Sequence, residues 1–230
     1  MSFRSVVHIV CSPRPQVGRT LLARMLVDFC LANGRAVEAF DLNDETDLAR
    51  HFPAQAVPAD IADVRGQIAL FDRLIADDRT TRVVDVGSAA TAAFFTVMRE
   101  TLFADEARRR GIAPAILFVA SEDRTARAAY ERLRCDIPEI AAAPVYNEAL
   151  APVQRYPAGG AAPIRIPALA PGLRRYIDAP FSFAGPQLAT LPLTVGIELQ
   201  RWKRRIFVEF RELELRLLLD NLRHALKNPA

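Results

Sequence analysis

The sequence has few of the residues that build disulfide or metal scaffolds. Its 230 residues include three cysteines and three histidines, with no Cys-x-x-Cys spacing. An odd number of widely spaced cysteines fits reduced thiols better than a disulfide framework. Histidines this scattered support neither a structural zinc site nor a Ser/His/Asp triad. The residues concerned are Cys11, Cys30, Cys135, His8, His51 and His224.

Long hydrophobic runs are also missing. No stretch approaches the roughly 18 uninterrupted apolar residues that a membrane-spanning helix needs, and the first residues lack the apolar core of a signal peptide. We therefore expect a cytoplasmic protein. The net charge of +3 is compatible with DNA or an anionic membrane as a partner but indicates neither. A hydrophobic fraction of 51% is sufficient for a globular core and excludes intrinsic disorder.

Short apolar segments alternate with segments of helical periodicity. The predicted strands are 6–10, 36–42, 82–88, 115–120, 143–146 and 164–166, and the predicted helices are 20–33, 59–78, 89–110, 122–134 and 167–177. Residues 43 to 58 show no clear period, so we expect a surface loop there. Apolar strands that alternate with helices predict an α/β fold, with a mostly parallel sheet and helices on both faces.

The C-terminal part of the chain has a different pattern. Residues 194–227 contain no proline and predict one long helix, so we divide the chain into an α/β domain (1–190) and a C-terminal helix (191–230). Two apolar stripes lie on nearly opposite sides of this helix. One consists of Leu199, Trp202, Ile206, Phe210, Leu213 and Leu217, and the other of Val208, Leu215, Leu219, Leu222 and Leu226.

One of these stripes can pack on the α/β domain. The other needs cover from another element of the chain, a second protomer, a partner protein or a lipid surface. Arg201, Arg204 and Arg205 make the N-terminal half of that second side basic. A solvated basic flank is the simpler interpretation of these arginines, and a nucleic-acid contact is the alternative.

Polar residues stand at the ends of four predicted strands. The segment 12–20 follows the first strand, Asp41 ends the second, Asp85 ends the third, and Asn147 follows the fifth. Ligands of open parallel sheets bind at the carboxyl ends of the strands, so we expect these residues to converge at one edge. A structural alternative exists for each, because aspartate and asparagine also form turns and cap helices.

The segment after the first strand has features of a phosphate-binding loop. Gly18, Arg19 and Thr20 at a helix start supply backbone N–H groups, a cation and a hydroxyl, which are the groups that bind a triphosphate and Mg²⁺. The alternative is a plain helix start with Thr20 as the N-cap residue.

In this register the chain resembles the ParA/MinD-type P-loop NTPases, whose deviant Walker A motif reads Lys-Gly-Gly-x-Gly-Lys-Thr. Residues 14–20 read Arg-Pro-Gln-Val-Gly-Arg-Thr. The resemblance covers most of residues 1–150, with Asp41-Leu42-Asn43 at the position of the family's Asp-x-Asp motif and Asp85 at the end of a Walker B-like strand.

The resemblance implies a role for each of these residues and a set of partners. By position, Arg14, Gly18, Arg19, Thr20 and Asn147 would bind ATP or ADP, with Asn147 reading adenine and Arg14 crossing a dimer interface. Thr20 would bind Mg²⁺, Asp85 would act through a metal-bound water, and Asp41 would place the attacking water. The resemblance also implies a homodimer that holds DNA or membrane.

The chain departs from the motif at four positions, of which Arg14 keeps the positive charge of the lysine that it replaces. Pro15 and Gln16 replace two glycines, and Arg19 replaces the lysine that reaches the phosphates. Proline has no N–H to donate, and a planar guanidinium does not substitute directly for an ammonium group. We therefore expect a positioning or partition-type protein that hydrolyses ATP weakly or not at all. Two alternatives remain: a slow Mg-dependent ATPase that uses Arg19, and a non-enzymatic scaffold that acts through the C-terminal helix.

Overall fold

The computed structural model describes residues 5–43, 47–150, 152, 155–157, 161–178 and 180–227, with side chains up to residue 219. Seven strands form one sheet in which every neighbouring pair is parallel. The strands are β1 (Ser5–Cys11), β2 (Val37–Leu42), β3 (Ala56–Pro58), β4 (Thr81–Val86), β5 (Ile112–Val119), β6 (Ala141–Asn147) and β7 (Ile164–Ile166). Their order across the sheet is β3-β2-β4-β1-β5-β6-β7. The predicted α/β class is confirmed.

Helices cover both faces of the sheet. They are α1 (Arg19–Ala32), α2 (Asp47–His51), α3 (Val64–Leu74), α4 (Thr91–Glu100), α5 (Phe103–Arg109), α6 (Arg124–Asp136) and α7 (Leu193–Lys227). Successive side chains of a strand point to opposite faces. Val10 of β1 therefore joins the core under α1, α2 and α7, whereas Ile9 and Cys11 join the core under α3 to α6.

The strand order creates a crevice at the carboxyl edge. From β1 the chain crosses to β2 on one side of the sheet, whereas from β5 it continues to β6 on the other side. The loops that follow β1 and β5 therefore diverge, and such a switch point is where parallel sheets bind ligands.

Two parts of the predicted element pattern are wrong. Residues 43–58 are not simply a loop, because α2 and β3 lie there and bury Leu48, Phe52 and Ala56. Elements this short show no detectable period. The single helix predicted over 89–110 is two helices, α4 and α5, because Leu102 adopts a left-handed backbone with φ 51° between them.

Several boundaries also differ from the prediction. Helix α3 begins only after Asp63, whose carboxylate accepts a 2.7 Å hydrogen bond from the N–H of Gly66. The helix predicted over 167–177 is a 3₁₀ helix at Pro171–Tyr176, and a second 3₁₀ helix at Pro186–Thr190 was not predicted. The strand predicted at 164–166 is confirmed.

The long C-terminal helix packs on the α/β core through α1 and β7. All six residues of its first predicted stripe are buried: Leu199, Trp202, Ile206, Phe210, Leu213 and Leu217. Val208, Leu215 and Leu219 of the second stripe are exposed, whereas Leu222 and Leu226 fall outside the described side chains. Among the described residues, no helix is long and apolar enough to cross a membrane.

Candidate functional site

The structure brings the predicted site residues to one edge of the sheet. Strands β2 and β4 pair so that Asp41 lies in register with Asp85, which is in turn in register with Val10 of β1. Residues next to each aspartate face the opposite core, so both carboxylates point toward the face that α1 covers. Both are buried. Two acidic side chains therefore lie beside the start of α1.

The loop between β1 and α1 presents unpaired backbone N–H groups. None of the described residues accepts a hydrogen bond from the N–H groups of residues 16–21. Gln16 and Gly18 have left-handed backbones, with φ of 58° and 93°. Left-handed residues within a loop turn successive N–H groups toward one point and form an anion-binding concavity.

Helix α1 begins without a side-chain cap. Gly18 is its N-cap residue, and its first turn contains no acidic residue. Thr20 is therefore not the N-cap residue, and that alternative is wrong. The partial positive charge at an uncapped helix N-terminus attracts anions, so the loop and the helix start favour the same kind of ligand.

Thr20 and Asp85 form the direct link between α1 and β4. The Thr20 hydroxyl donates a 2.7 Å hydrogen bond to Asp85 Oδ2, whereas Asp85 Oδ1 is buried and has no partner among the described residues. Burial raises the pKa of Asp85 to about 6, although the hydrogen bond from Thr20 and the charge of Arg19 both favour the ionised form. Asp85 does not cap α4, which starts after Ala90.

These two residues could supply part of the coordination of a magnesium ion, most of which would come from a bound phosphate ligand and water. The unpartnered Asp85 oxygen and the lone pairs of Thr20 are hard oxygen donors, which suit Mg²⁺. The described part of the chain contains no group of three acidic, histidine or cysteine side chains that could hold a metal alone. The remaining coordination positions would belong to phosphate oxygens and water.

The Arg19 side chain is engaged at the carboxyl ends of β4 and β2. Its guanidinium donates to the carbonyl oxygen of Val86 at the end of β4 and, at 3.1 Å, to Oδ1 of Asn43. In this arrangement the guanidinium already has two acceptors within the protein, so it would have to leave them to bind a phosphate group. Asn43 is the residue that sequence reasoning left without a role, although it stands two positions after Asp41.

Asp41 is held by N–H groups on both of its oxygens. Asn43 donates to Oδ1 from its backbone N at 3.1 Å and from its side-chain amide at 2.7 Å, and the N–H of Leu48 donates to Oδ2 at 2.9 Å. Asp41 therefore forms the turn that follows β2 and starts α2. In this arrangement the carboxylate has little capacity left to orient a water molecule.

Asn147 attaches the end of β6 to the loop. Its side-chain amide donates to the Val17 carbonyl at 3.1 Å, and its Oδ1 accepts from the N–H of Ala149 at 3.1 Å, which makes it a turn residue as well. A Cβ atom at Gly18 would lie 2.6 Å from that amide. Glycine permits this approach without displacing the Asn147 amide, and it readily adopts the left-handed φ at position 18.

Arg14 pairs within its own chain. Its Nε lies 2.5 Å from Oδ2 of Asp123, and the Arg14 side chain is 53% exposed. Oδ1 of Asp123 accepts a hydrogen bond from the N–H of Thr125 at the start of α6. The ion pair thus connects the loop to α6, and Arg14 would have to leave Asp123 to reach a partner subunit.

A cleft of about 360 Å³ adjoins the loop on the side of β6. Gly18 and Asn147 line it together with Pro167, Trp202 and Arg24. Its walls combine apolar side chains with a few polar groups, as is typical of small-molecule sites.

Sequence reasoning missed Arg24, which is buried and donates to the Ile177 carbonyl at 2.8 Å. Its Nε has no partner. The only signal for it was an arginine within the apolar face of a helix.

No protein-family model matches the chain, and no curated protein matches it.

Proposed function

We propose that the protein is a ParA/MinD-like positioning or partition-type protein of the cytoplasm. It binds ATP or ADP with Mg²⁺ at the carboxyl edge of the sheet and hydrolyses ATP weakly or not at all. The observation that carries the proposal is the row of unpaired N–H groups at residues 16–21, which lies next to the Thr20–Asp85 pair. Phosphate groups are the ligands that such a loop and an uncapped helix start bind best.

Weak hydrolysis follows from how the other site residues are engaged. Arg19 donates to Val86 and Asn43, next to Asp85, so its guanidinium is already engaged and the loop binds phosphate mainly through backbone N–H groups. Three N–H donors occupy most of the acceptor sites of Asp41, which leaves the carboxylate little capacity to place an attacking water. Electrostatic stabilisation of the transferred group and placement of the attacking water are the main contributions to phosphoryl transfer, and both are weakened here.

The bound nucleotide would be held by distinct parts of the site. Backbone N–H groups of the loop would bind the phosphates, Thr20 would contact Mg²⁺, and Asp85 would hold the water shell of the ion. When bound, Mg²⁺ neutralises charge on the phosphates. The cleft beside Asn147 has room for the organic part of the nucleotide. Nucleotide binding would then favour a homodimer.

Thermal unfolding with and without nucleotide tests the proposal. A ligand at a hundred times its Kd stabilises the folded state by about 2.7 kcal/mol, which for a chain of this size raises Tm by about 5 to 10 °C. We expect this rise with Mg-ATP or Mg-ADP for the wild type and its loss in Gly18→Ala, because the added methyl group collides with Asn147.

Gly34→Ala is the matched control. Gly34 also has a left-handed backbone, with φ 65°, but an added Cβ there meets no atom within 4 Å. Both variants therefore place a Cβ atom on a left-handed backbone, and only Gly18→Ala alters the site. The absence of any rise for the wild type would refute nucleotide binding and favour the scaffold alternative. Steady phosphate release that Asp41→Ala abolishes would instead support the slow ATPase.

A further inference from the structure

A second concave surface lies between the 3₁₀ helix at Pro186–Thr190 and the first turns of α7. This groove has a volume of about 430 Å³. Leu188, Leu191, Leu193 and Ile197 form its apolar walls, and Arg201 and Arg204 line it as well. Leu193 is 78% exposed and Ile197 is 42% exposed. Two large apolar side chains of α7 are thus left in water where they line a concave surface.

Gly196 lies within the groove and keeps it open. It is the only glycine of α7, and glycine inside a helix costs about 1 kcal/mol relative to alanine. A Cβ atom at this position would meet only the Leu188 carbonyl oxygen, at 3.6 Å, which is an ordinary contact. Packing therefore does not require glycine here, and a side chain at position 196 would fill the groove instead.

The arginines of the groove have no acidic partner. Among the described residues, no carboxylate lies within ion-pair distance of Arg201 or Arg204, nor of the neighbouring Arg205. Some exposed arginines elsewhere in the chain are neutralised locally: Arg108 pairs with Asp105 at 3.1 Å, and Arg109 pairs with Glu106 at 2.5 Å. A positive charge without a counter-charge thus adjoins an apolar surface.

We propose that this groove binds a short segment of a partner protein that combines apolar and acidic side chains. Apolar side chains of the segment would enter between the two walls, and its carboxylates would pair with Arg201 and Arg204. A bilayer surface cannot enter a concave groove, and a nucleic-acid backbone gains nothing from the leucine walls. Complementary charge and buried apolar anchors are what such peptide grooves use. The inference does not depend on nucleotide binding.

Fluorescence anisotropy with a pair of designed peptides tests this. In both labelled peptides leucine recurs at three- and four-residue spacing, and the other positions are glutamate in one peptide and lysine in the other. We expect the wild type to bind the acidic peptide and not the basic one. The double variant Arg201→Glu/Arg204→Glu should bind the acidic peptide at least about tenfold more weakly and should gain affinity for the basic peptide.

Two further variants separate the groove from general charge effects. Arg108→Glu/Arg109→Glu changes the net charge equally at a distant helix and should leave peptide binding unchanged. Gly196→Leu fills the groove without changing any charge and should abolish binding, whereas Gly196→Ala should reduce it only slightly.

Three outcomes would overturn the proposal. Equal affinity for the two peptides would do so, and so would an acidic peptide that binds Gly196→Leu normally. The third is an acidic peptide that does not bind while anionic phospholipid vesicles, duplex DNA or a second copy of the chain bind in a manner that Arg201→Glu/Arg204→Glu abolishes. That result would assign the surface to the ligand that bound.

Discussion

At the scale of single residues, the neighbouring carboxylates of Asp41 and Asp85 differ in how many hydrogen-bond donors they have. Asp41 accepts N–H donors on both oxygens, whereas Asp85 accepts one hydroxyl donor and leaves Oδ1 unpaired. Donors stabilise a carboxylate, and burial without donors destabilises it. A ligand that supplies a donor or a cation to the unpaired oxygen would therefore gain more binding free energy at Asp85 than at Asp41.

His8 of β1 predicts a specific sensitivity of the fold to acid. It is buried, neither ring nitrogen has a hydrogen-bond partner in the described part of the chain, and burial together with the charge of Arg35 lowers its pKa from 6.5 to about 3. In the unfolded chain His8 therefore binds a proton below pH 6.5, whereas in the folded chain it does so only near pH 3. Stability is lost as the pH falls through this window, by about 1.4 kcal/mol per pH unit.

His8→Leu should remove this loss. Between pH 7 and pH 4.5 we expect the variant to retain about 2 to 3 kcal/mol more of its free energy of unfolding than the wild type does, as measured by urea denaturation at each pH. At pH 7 it should be at least as stable as the wild type, because a buried unpaired ring is replaced by an apolar side chain. Equal losses for both proteins would show that His8 is not the source.

The convergence of the site residues was accessible from the sequence, but their bonds were not. Asp41 and Asp85 each end an apolar segment, and parallel strands bring their carboxyl ends together. The direction of Arg19 depends on the Val86 carbonyl, 67 positions away. Arg24 donates to Ile177, 153 positions away. No local pattern encodes such pairs.

At the scale of elements, the break between α4 and α5 places a leucine in an unfavourable backbone conformation. Leu102 has φ 51° and an exposed side chain. A left-handed conformation costs non-glycine residues about 1 to 2 kcal/mol, part of which glycine recovers. We expect Leu102→Gly to raise the free energy of urea unfolding by about 0.5 to 1 kcal/mol.

Leu102→Ala provides the control for this prediction. It removes the same exposed side chain but retains a Cβ atom in the left-handed conformation, so it should bring no such gain. If Ala and Gly stabilise the protein equally, the effect comes from the lost leucine side chain and not from the backbone.

The elements that sequence reasoning missed are short ones held by distant contacts. Helix α2 has five residues and β3 has three. Leu48 and Ala56 are buried in the same core as α1. Strand β3 pairs with β2 at the edge of the sheet. Their periodicity is too brief to recognise, so tertiary packing decides their structure.

At the scale of the whole molecule, α7 belongs to the same core as the sheet. Phe210 is buried, and its ring contacts that of Phe29 in α1 edge to face, with 5.5 Å between centroids. Truncation of a buried phenylalanine costs about 3 to 5 kcal/mol. We expect Phe210→Ala to lower the free energy of unfolding of the entire protein by this amount.

Two measurements together check this expectation. Trp202 is the only tryptophan and reports on α7, whereas far-UV circular dichroism reports on all helices. The two signals should change at the same urea concentration in the wild type and shift together in Phe210→Ala. Val208→Ala, at a position 52% exposed, should change stability by less than about 0.5 kcal/mol. Separate transitions would mean that α7 unfolds independently of the sheet.

The sequence by itself determined the parallel α/β architecture, the edge at which the acidic and loop residues meet, and the buried stripe of α7. These follow from periodicity and strand ends, which are local properties of the chain. Tertiary structure alone decided that Arg19 donates to the Val86 carbonyl, that Arg14 pairs with Asp123, and that a groove opens at Gly196. Each of these depends on partners far apart in the chain, and only folding sets their distances.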